Sequence, residues 1–281
     1  MIEQLRQRLQ TLQKTAGIED GPGVLPLGIA PIDAALGGGL ARGALHEIAA
    51  PSEAHLAAAT GFVLGLAARG QARVLWIAED MALSESGALY GPGLDAFGLK
   101  PERLLTVAAA RPRDLLWAME EALRCRAIGV AIGEWRHGEI DMVAMRRLSL
   151  AAAESGALAL LLRAAPPTDA STAATRWIVG ASPSPGGGGS PNEVRRGGVT
   201  YEKSSPPPAS LRCASAGDLP PPGGGEEENR PRFVAHLVRN RRGPLGSWIL
   251  EWSDSDERFL LATPAQPVAA PALDRPHRQV A

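Results

Sequence analysis

The chain has 281 residues, of which 45% are hydrophobic and 21% are charged, and its formal net charge at pH 7 is -1. This length and composition allow a sizeable core in one large domain or two small ones. The near-neutral balance gives no reason to expect nucleic acid or a membrane as the main partner. No apolar run approaches the roughly 18 residues that a membrane span needs.

Cysteine content and the N-terminus bear on the compartment. Cys125 and Cys213 lie far apart, a spacing that indicates neither a disulfide framework nor a zinc site. The first residues, MIEQLRQRLQ, contain no apolar segment typical of a secretory signal. We therefore expect a cytoplasmic protein.

Residues 1–16 are predicted to form a short amphipathic helix. Its apolar stripe consists of Ile2, Leu5, Leu9 and Leu12, and polar residues fill most other positions. A helix this short is marginally stable alone, so it must dock either on its own core or on a partner. The stripe is therefore a candidate partner-binding surface.

From residue 24 to residue 180, short apolar runs alternate with helical patterns. The strand candidates are ALHEIA, RVLWIAED, the end of PERLLTVAA, AIGVAIGEW, ALALLLRAA and STAATRWIVGAS. Helices are predicted over Ala54–Arg69, Pro112–Arg126 and Ile140–Ser155, with a shorter one in LDAFGL. This alternation predicts an α/β fold, a mainly parallel twisted sheet flanked by helices.

The pattern changes after residue 180. SPSPGGGGSP and LPPPGGGEEENRP bury too little apolar surface to fold, whereas RFVAHLVRNRRGPLGSWILEW contains two strand-like runs around an Arg-rich turn. The predicted organisation is an N-terminal helix and linker at 1–20, a core at 21–180, a disordered insertion at 181–229, a β-hairpin completing the core at 230–262, and a disordered tail at 263–281.

Residues 28–62 have the layout of a phosphate-binding loop: a Gly-rich turn, a strand, a loop and an Ala-rich helix. The loop, AAPSEAHLAA, contains no Gly-Lys-Ser/Thr. In a working loop, glycines let backbone N–H groups wrap the phosphates, Lys reaches the β and γ oxygens, and Ser or Thr holds Mg²⁺. The sequence thus keeps the framework of a nucleotide site without the groups that hold the nucleotide.

An ordered series of segments over roughly residues 24–180 and 230–262 resembles the RecA family. GIAPIDAALGGGLARGALHEI resembles the segment that leads into the first core strand, and VLWIAEDMAL the strand that ends in the catalytic glutamate. AIGVAIGEW resembles the Walker B strand, AMRRLSLAAAESGALALLL the helix and strand that follow, and HLVRNRRGPLGSWILEW the late hairpin with its basic turn. The resemblance implies a RecA-like core.

The phosphate loop departs from the family pattern. Leu56 stands at the lysine position, His55 at the preceding glycine and Ala57 at the Mg²⁺-binding Ser/Thr, in a degenerate loop that begins at Pro51. Replacing the lysine removes a charge-assisted bond to phosphate. Replacing the glycine puts a side chain where the backbone must approach the phosphates.

Most of the remaining catalytic positions also lack the residue that the RecA family has there. Gly133 replaces the Walker B aspartate, with Glu134 next to it as a potential substitute, and Ala164 falls near the glutamine sensor position. Glu79 alone keeps its place as a water-activating base, and a base without Mg²⁺-nucleotide has nothing to activate. We therefore predict no catalytic residue, no cofactor and no metal site, hence a protein that is not an enzyme.

With its size and the segments GALHEI, GLAARG, VLWIAED and LYGPGLDAFGLKPERLL, the chain resembles the ImuA family, RecA/SulA-like proteins of bacterial damage-inducible mutagenesis cassettes. This resemblance implies a non-catalytic accessory protein of SOS-induced translesion DNA synthesis. Its implied partners are an ImuB-like protein and an error-prone C-family DNA polymerase, with RecA as a further candidate and DNA contact indirect or weak. The alternatives are a divergent RecA-like DNA-dependent ATPase or recombinase, and a SulA-like cell-division inhibitor.

Several polar and aromatic residues allow two interpretations. Arg239, Arg241 and Arg242 in the hairpin turn form either a solvated turn or a contact for phosphates or an acidic partner. Trp248 and Trp252 share one strand face, where they would pack in the core or stack on bases. The segment EWRHGEID, with Glu134, His137, Glu139 and Asp141, is more typical of a polar turn than of a metal site.

Overall fold

The computed structural model describes residues 23–70, 72–136, 138–168, 170–182 and 230–262. The predicted N-terminal helix with Ile2, Leu5, Leu9 and Leu12, the predicted insertion beyond Ser182 and the predicted tail after Ala262 lie outside these residues.

A nine-stranded sheet organises the described part of the chain. The strands are β3 (Ala44–Ala49), β4 (Arg73–Glu79), β5 (Leu104–Ala109), β6 (Ile128–Trp135), β7 (Leu158–Arg163), β8 (Thr175–Ala181), β9 (Arg232–Asn240), β10 (Gly246–Ser253) and β11 (Arg258–Leu261). A separate two-stranded ribbon pairs β1 (Val24–Leu25) with β2 (Leu40–Ala41). The strand order is β11-β10-β9-β8-β3-β7-β6-β4-β5.

The six strands from β8 to β5 are parallel, and β9, β10 and β11 extend the sheet antiparallel beyond β8. The predicted α/β fold with a mainly parallel sheet is confirmed, and the predicted hairpin does join the same sheet. The third antiparallel strand, β11, and the β1–β2 ribbon were not predicted, because runs of four and two residues carry little periodicity.

Helices cover both faces of the sheet. They are α1 (Ala30–Leu36), α2 (Leu56–Ala68), α3 (Asp80–Ser86), α4 (Gly91–Ala96), α5 (Pro112–Arg124) and α6 (Met142–Ser155), with 3-10 turns at Glu53–His55 and Pro101–Arg103. On one face α2 packs in a core that includes Trp76 and Trp177, and on the other α5 and α6 pack over residues such as Ile77 and Leu161. None of the helices described between residues 23 and 262 combines the length and apolarity needed to cross a bilayer.

Helix α2 is apolar on nearly every side because it is enclosed by the sheet and by aromatic rings. Its two inner glycines make room for those rings: a Cβ at Gly61 would lie 2.7 Å from Cζ of Phe97, and one at Gly65 would lie 2.5 Å from Cζ of Phe259. Atoms cannot approach this closely without displacement, so both positions require glycine for packing.

The tryptophans of β10 belong to the same core. Trp252 is buried, its ring lies 4.9 Å from that of Phe259, and its Nε1 donates to the Ala96 carbonyl at 2.6 Å. Trp248 is partly buried with its ring 6.0 Å from that of Trp177. Packing therefore accounts for both tryptophans, and neither is presented for stacking on bases.

A buried polar chain crosses the sheet beneath α2. Nε2 of His46 donates to the Ala41 carbonyl at 2.9 Å, so Nδ1 accepts from the Thr175 hydroxyl at 2.7 Å, and that hydroxyl oxygen in turn accepts from Nε1 of Trp177 at 3.0 Å. His46 is fully buried, and burial lowers its pKa from 6.5 to about 4. The imidazole is therefore neutral at physiological pH.

The low pKa of His46 predicts acid sensitivity. Because the native pKa lies below the unfolded value, only the unfolded chain takes up this proton between about pH 6.5 and pH 4. The contribution of neutral His46 to the free energy of unfolding is therefore complete above pH 6.5. It falls by about 1.4 kcal/mol per pH unit between pH 6.5 and pH 4, and it is lost as the pH falls through the native pKa.

Urea unfolding of the wild type and of the non-titrating variant His46→Gln measures this contribution. The stability advantage of the wild type should shrink by about 2 kcal/mol between pH 7 and pH 5. An advantage that does not change with pH would contradict the assignment, because other titrating groups are common to both proteins.

Candidate functional site

The loop between β3 and α2 occupies the place of the predicted phosphate-binding loop. It contains the 3-10 turn Glu53–His55, closed by a hydrogen bond of 2.9 Å from the backbone N–H of His55 to the Ser52 carbonyl. No residue from 50 to 57 has a positive φ. Concave sets of N–H groups that hold an anion are formed by successive right- and left-handed residues or by turns. This loop forms a helical turn and contains no left-handed residue.

His55 and Pro51 close the loop against the end of β8. Nδ1 of His55 accepts a hydrogen bond of 3.1 Å from the backbone N–H of Ala181, which places the proton of a neutral imidazole on Nε2. A Cβ at Gly180 would lie 3.2 Å from Cγ of Pro51 and 3.3 Å from Nδ1 of His55. His55, which stands at the position of the RecA family's glycine, thus accepts a hydrogen bond from the backbone of the same chain.

Leu56 and Ala57, at the family's lysine and Ser/Thr positions, begin α2. Leu56 is buried and Ala57 is exposed, and both line a cavity of about 450 Å³ between α2 and residues 86–97. Neither side chain can bind phosphate or Mg²⁺. The start of α2 therefore presents hydrocarbon where the resemblance places cationic and hydroxyl groups.

Gly133 and Glu134 lie on opposite faces of β6. A Cβ at Gly133 would lie 2.9 Å from Sδ of Met119 and 3.2 Å from Cδ2 of Leu115, both on α5. Glu134 instead lines the cavity beside α2. Because side chains alternate along a strand, the residue that faces α2 at the end of β6 is Glu134, not Gly133.

The Glu134 carboxylate is already bound on both oxygens. Oε2 accepts from Nε1 of Trp76 at 3.1 Å, and Oε1 accepts from Nε of Arg136 at 2.8 Å and lies 2.6 Å from Nη2 of the same side chain. The side chains of Arg136 and Glu134 are 8% and 9% exposed. Removing one partner of such a buried pair is strongly destabilising. Glu134 thus neutralises the buried charge of Arg136.

Glu79 ends β4 and precedes α3. Its Oε1 atom is buried and has no hydrogen-bond partner among the described residues. Because side chains alternate along a strand, Glu79 lies on the same face of β4 as Leu75 and Ile77, which pack with α5 and α6. The residues that line the cavity beside α2 include Glu134 but not Glu79. The structure therefore does not bring these two carboxylates together.

A second buried carboxylate, Glu47, lies at the centre of an ion cluster. It is fully buried in β3, where Oε2 accepts from Nε of Arg176 at 2.8 Å and Oε1 lies 3.6 Å from Nη1 of Arg163. The sequence could not indicate this cluster, because its members come from three separate strands. Burial and the neighbouring Arg241 and Arg176 lower the pKa of Arg239, which extends the cluster.

The basic hairpin turn is held by α1. Asn240 donates to the Ala35 and Pro244 carbonyls at 2.8 and 3.0 Å, and its Oδ1 accepts from the N–H of Arg242 at 3.0 Å. The N–H of Arg241 donates to the Ala174 carbonyl at 3.0 Å. Arg241 and Arg242 are exposed and Arg239 is half-buried. The turn is therefore an ordered basic surface.

The segment after β6 has the bonding of a polar turn. Nε1 of Trp135 donates to the Gly138 carbonyl at 2.9 Å, and Asp141 caps α6 by accepting from the N–H of Ala144 at 2.8 Å. Among the described residues no group of three or more His, Cys, Asp and Glu side chains suits a metal ion. Ala164, at the expected sensor position, lines a cavity of about 170 Å³ with Arg136 and Arg163.

Known proteins similar to this chain were found among solved structures. No family model matches the chain, and no curated protein matches it in sequence. The crystal structure of the RadB recombinase is similar, with 13% sequence identity, a TM-score of 0.49, and 82% of this chain and 97% of that chain covered.

The orientation of Gly133 predicts the outcome of restoring a Walker B aspartate. Gly133→Ala should lower the free energy of unfolding by about 1–3 kcal/mol, because the methyl group crowds Met119 and Leu115. Gly133→Asp should cost several kcal/mol more, since it buries an unpaired carboxylate. Chemical denaturation with and without Mg²⁺ measures both. Stabilisation of the aspartate variant by Mg²⁺ would show that this position does face a metal site.

Proposed function

We propose that this chain is a non-catalytic RecA-like accessory protein of SOS-induced translesion DNA synthesis, which bridges an ImuB-like protein and an error-prone C-family DNA polymerase. The observation that supports a non-catalytic role is the loop between β3 and α2. It has no positive-φ residue, and its imidazole binds the N–H of Ala181. The partners are taken from the resemblance of GALHEI and LYGPGLDAFGLKPERLL to the ImuA family.

The edge of the sheet at β5 supports a role in protein binding. β5 pairs with β4 and is the last strand of the sheet in the described part of the chain. Leu105 is 45% exposed, and Thr106 and Ala108 are also exposed. An edge strand offers free N–H and C=O groups on its outer side, to which a partner can add a strand. We assign β5 as the docking edge for one partner.

A substitution on β5 tests this assignment. Leu105→Lys should weaken binding of the purified ImuB-like partner by about tenfold or more, because a charge replaces an exposed leucine on the edge strand to which the partner would add. Leu150→Lys on α6 is the matched control, since Leu150 is 53% exposed and lies away from β5. Biolayer interferometry with the full chain gives both dissociation constants. Equal affinities for the two variants would remove β5 from the interface.

The predicted N-terminal stripe is tested separately. Deletion of residues 1–16 removes Ile2, Leu5, Leu9 and Leu12 without altering any described residue. Loss of partner binding in this truncation would place the anchor in the stripe. Full binding by both the truncation and Leu105→Lys would contradict the proposed interface altogether.

One observation favours a second candidate, a divergent RecA-like ATPase. The buried Oε1 of Glu79 has no hydrogen-bond partner among the described residues, and such unpaired carboxylate oxygens occur at catalytic sites. The loop geometry argues against it, because no lysine or Ser/Thr stands at the start of α2 to hold Mg²⁺-nucleotide.

Isothermal titration with Mg-ATP separates the two candidates. We expect no saturable binding, since the start of α2 offers neither a lysine nor a Ser/Thr. Glu79→Ala should behave like the wild type in this titration. Micromolar binding that Glu79→Ala abolishes would favour the ATPase and overturn the non-catalytic assignment.

A further inference from the structure

The cavity beside α2 is mainly apolar. It holds about 450 Å³ and is lined by Leu56, Leu64, Leu89, Leu94 and the ring of Phe97. Its volume lies within the range of about 300–1,000 Å³ that is typical of binding pockets. The cavity is therefore large enough to receive a bulky side chain together with part of the segment that carries it.

The bottom of the cavity offers no site for an anion. Arg136 is the one cation among the lining residues, and its Nε and Nη2 atoms are directed at Oε1 of Glu134. The positive charge is thus neutralised by an adjacent carboxylate. An anionic ligand would have to compete with Glu134 for Arg136, which makes phosphate or carboxylate ligands unfavourable here.

The one exposed charged residue among those that line the cavity is acidic, and it is Glu53. Helix α3, whose last residue Ser86 also lines the cavity, carries exposed Glu85 next to Ser86 and contains no Lys or Arg. Tyr90 lines the cavity and is 73% exposed, so the apolar surface continues outward. The surroundings thus combine an apolar pocket with an exposed carboxylate, Glu53, at its edge.

We infer that this cavity is a docking pocket for a partner protein segment that inserts one bulky apolar side chain and carries Lys or Arg beside it. Apolar anchors in pockets supply most of the energy of protein interfaces, and complementary rim charges select the partner. The inference rests on the proposed function only in taking the ligand to be a protein. It assigns a surface distinct from the β5 edge.

Synthetic peptides test the stated chemistry without the natural partner. An array presents a central Ala, Leu, Phe or Trp flanked on both sides by Lys, Ser or Glu, and the strongest peptide is titrated against the full chain by fluorescence anisotropy. Peptides with an aromatic or leucine anchor and Lys flanks should bind at least about tenfold tighter than those with Glu flanks or a central Ala.

Two pairs of variants locate the binding. Ala57→Phe fills the cavity and Glu53→Lys reverses the charge at its edge, and each should weaken the best peptide by about tenfold. Ala153→Phe and Glu154→Lys make the same changes at exposed positions of α6 and should bind like the wild type. Unchanged thermal unfolding midpoints show that all four variants fold.

Any of three results in the peptide assay would overturn the inference: a preference for Glu flanks, no dependence on the anchor, or equal affinity of Ala57→Phe and Ala153→Phe. Self-association that Ala57→Phe abolishes in sedimentation velocity would identify a second copy of this chain as the occupant, and so would also overturn it. The peptide assay contains no polymerase partner. Its failure is therefore separable from failure of the proposed function, which the ImuB-like binding experiment measures.

Discussion

The hydrogen bond from the Ala181 N–H to the His55 imidazole holds the loop that follows β3. It ties the loop after β3 to the end of β8, two segments separated by 126 positions in the chain. With the loop held as a 3-10 turn, α2 begins at Leu56 and its first side chains line an apolar cavity. The loop residues at the positions where the RecA family binds phosphates are therefore engaged in contacts within the protein.

Two buried carboxylates, Glu134 and Glu47, are engaged in ion pairs on opposite faces of the sheet. Glu134 binds Trp76 and Arg136 on the α2 side of the sheet, and Glu47 pairs with Arg163 and Arg176 on the other. Burying a charge is costly unless it is paired, so each carboxylate and its guanidinium groups must be retained together. The Glu47 cluster joins β3 to β7 and β8, and the Glu134 pair joins β6 to Arg136, the residue that follows it.

The surfaces left for interaction differ in kind. The β5 edge offers backbone hydrogen bonds, the cavity beside α2 offers apolar contact with an exposed carboxylate at its edge, and the hairpin turn offers exposed guanidinium groups at Arg241 and Arg242. Each suits a different partner chemistry. The three surfaces lie on different elements of the fold.

The sequence alone determined the alternation of strands and helices, the late hairpin and the loss of Lys and Ser/Thr at the start of α2, because these depend on local periodicity and residue type. The tertiary structure decided what replaced the lost site. Gly133 was expected at the aspartate position, yet β6 turns Glu134 toward α2, since the packing of the helices sets which alternate residues face each layer. Likewise, the Glu47–Arg176 and His46–Thr175 contacts each join residues 129 positions apart. Such pairs leave no periodic trace in a single sequence and arise only when the strands are brought side by side.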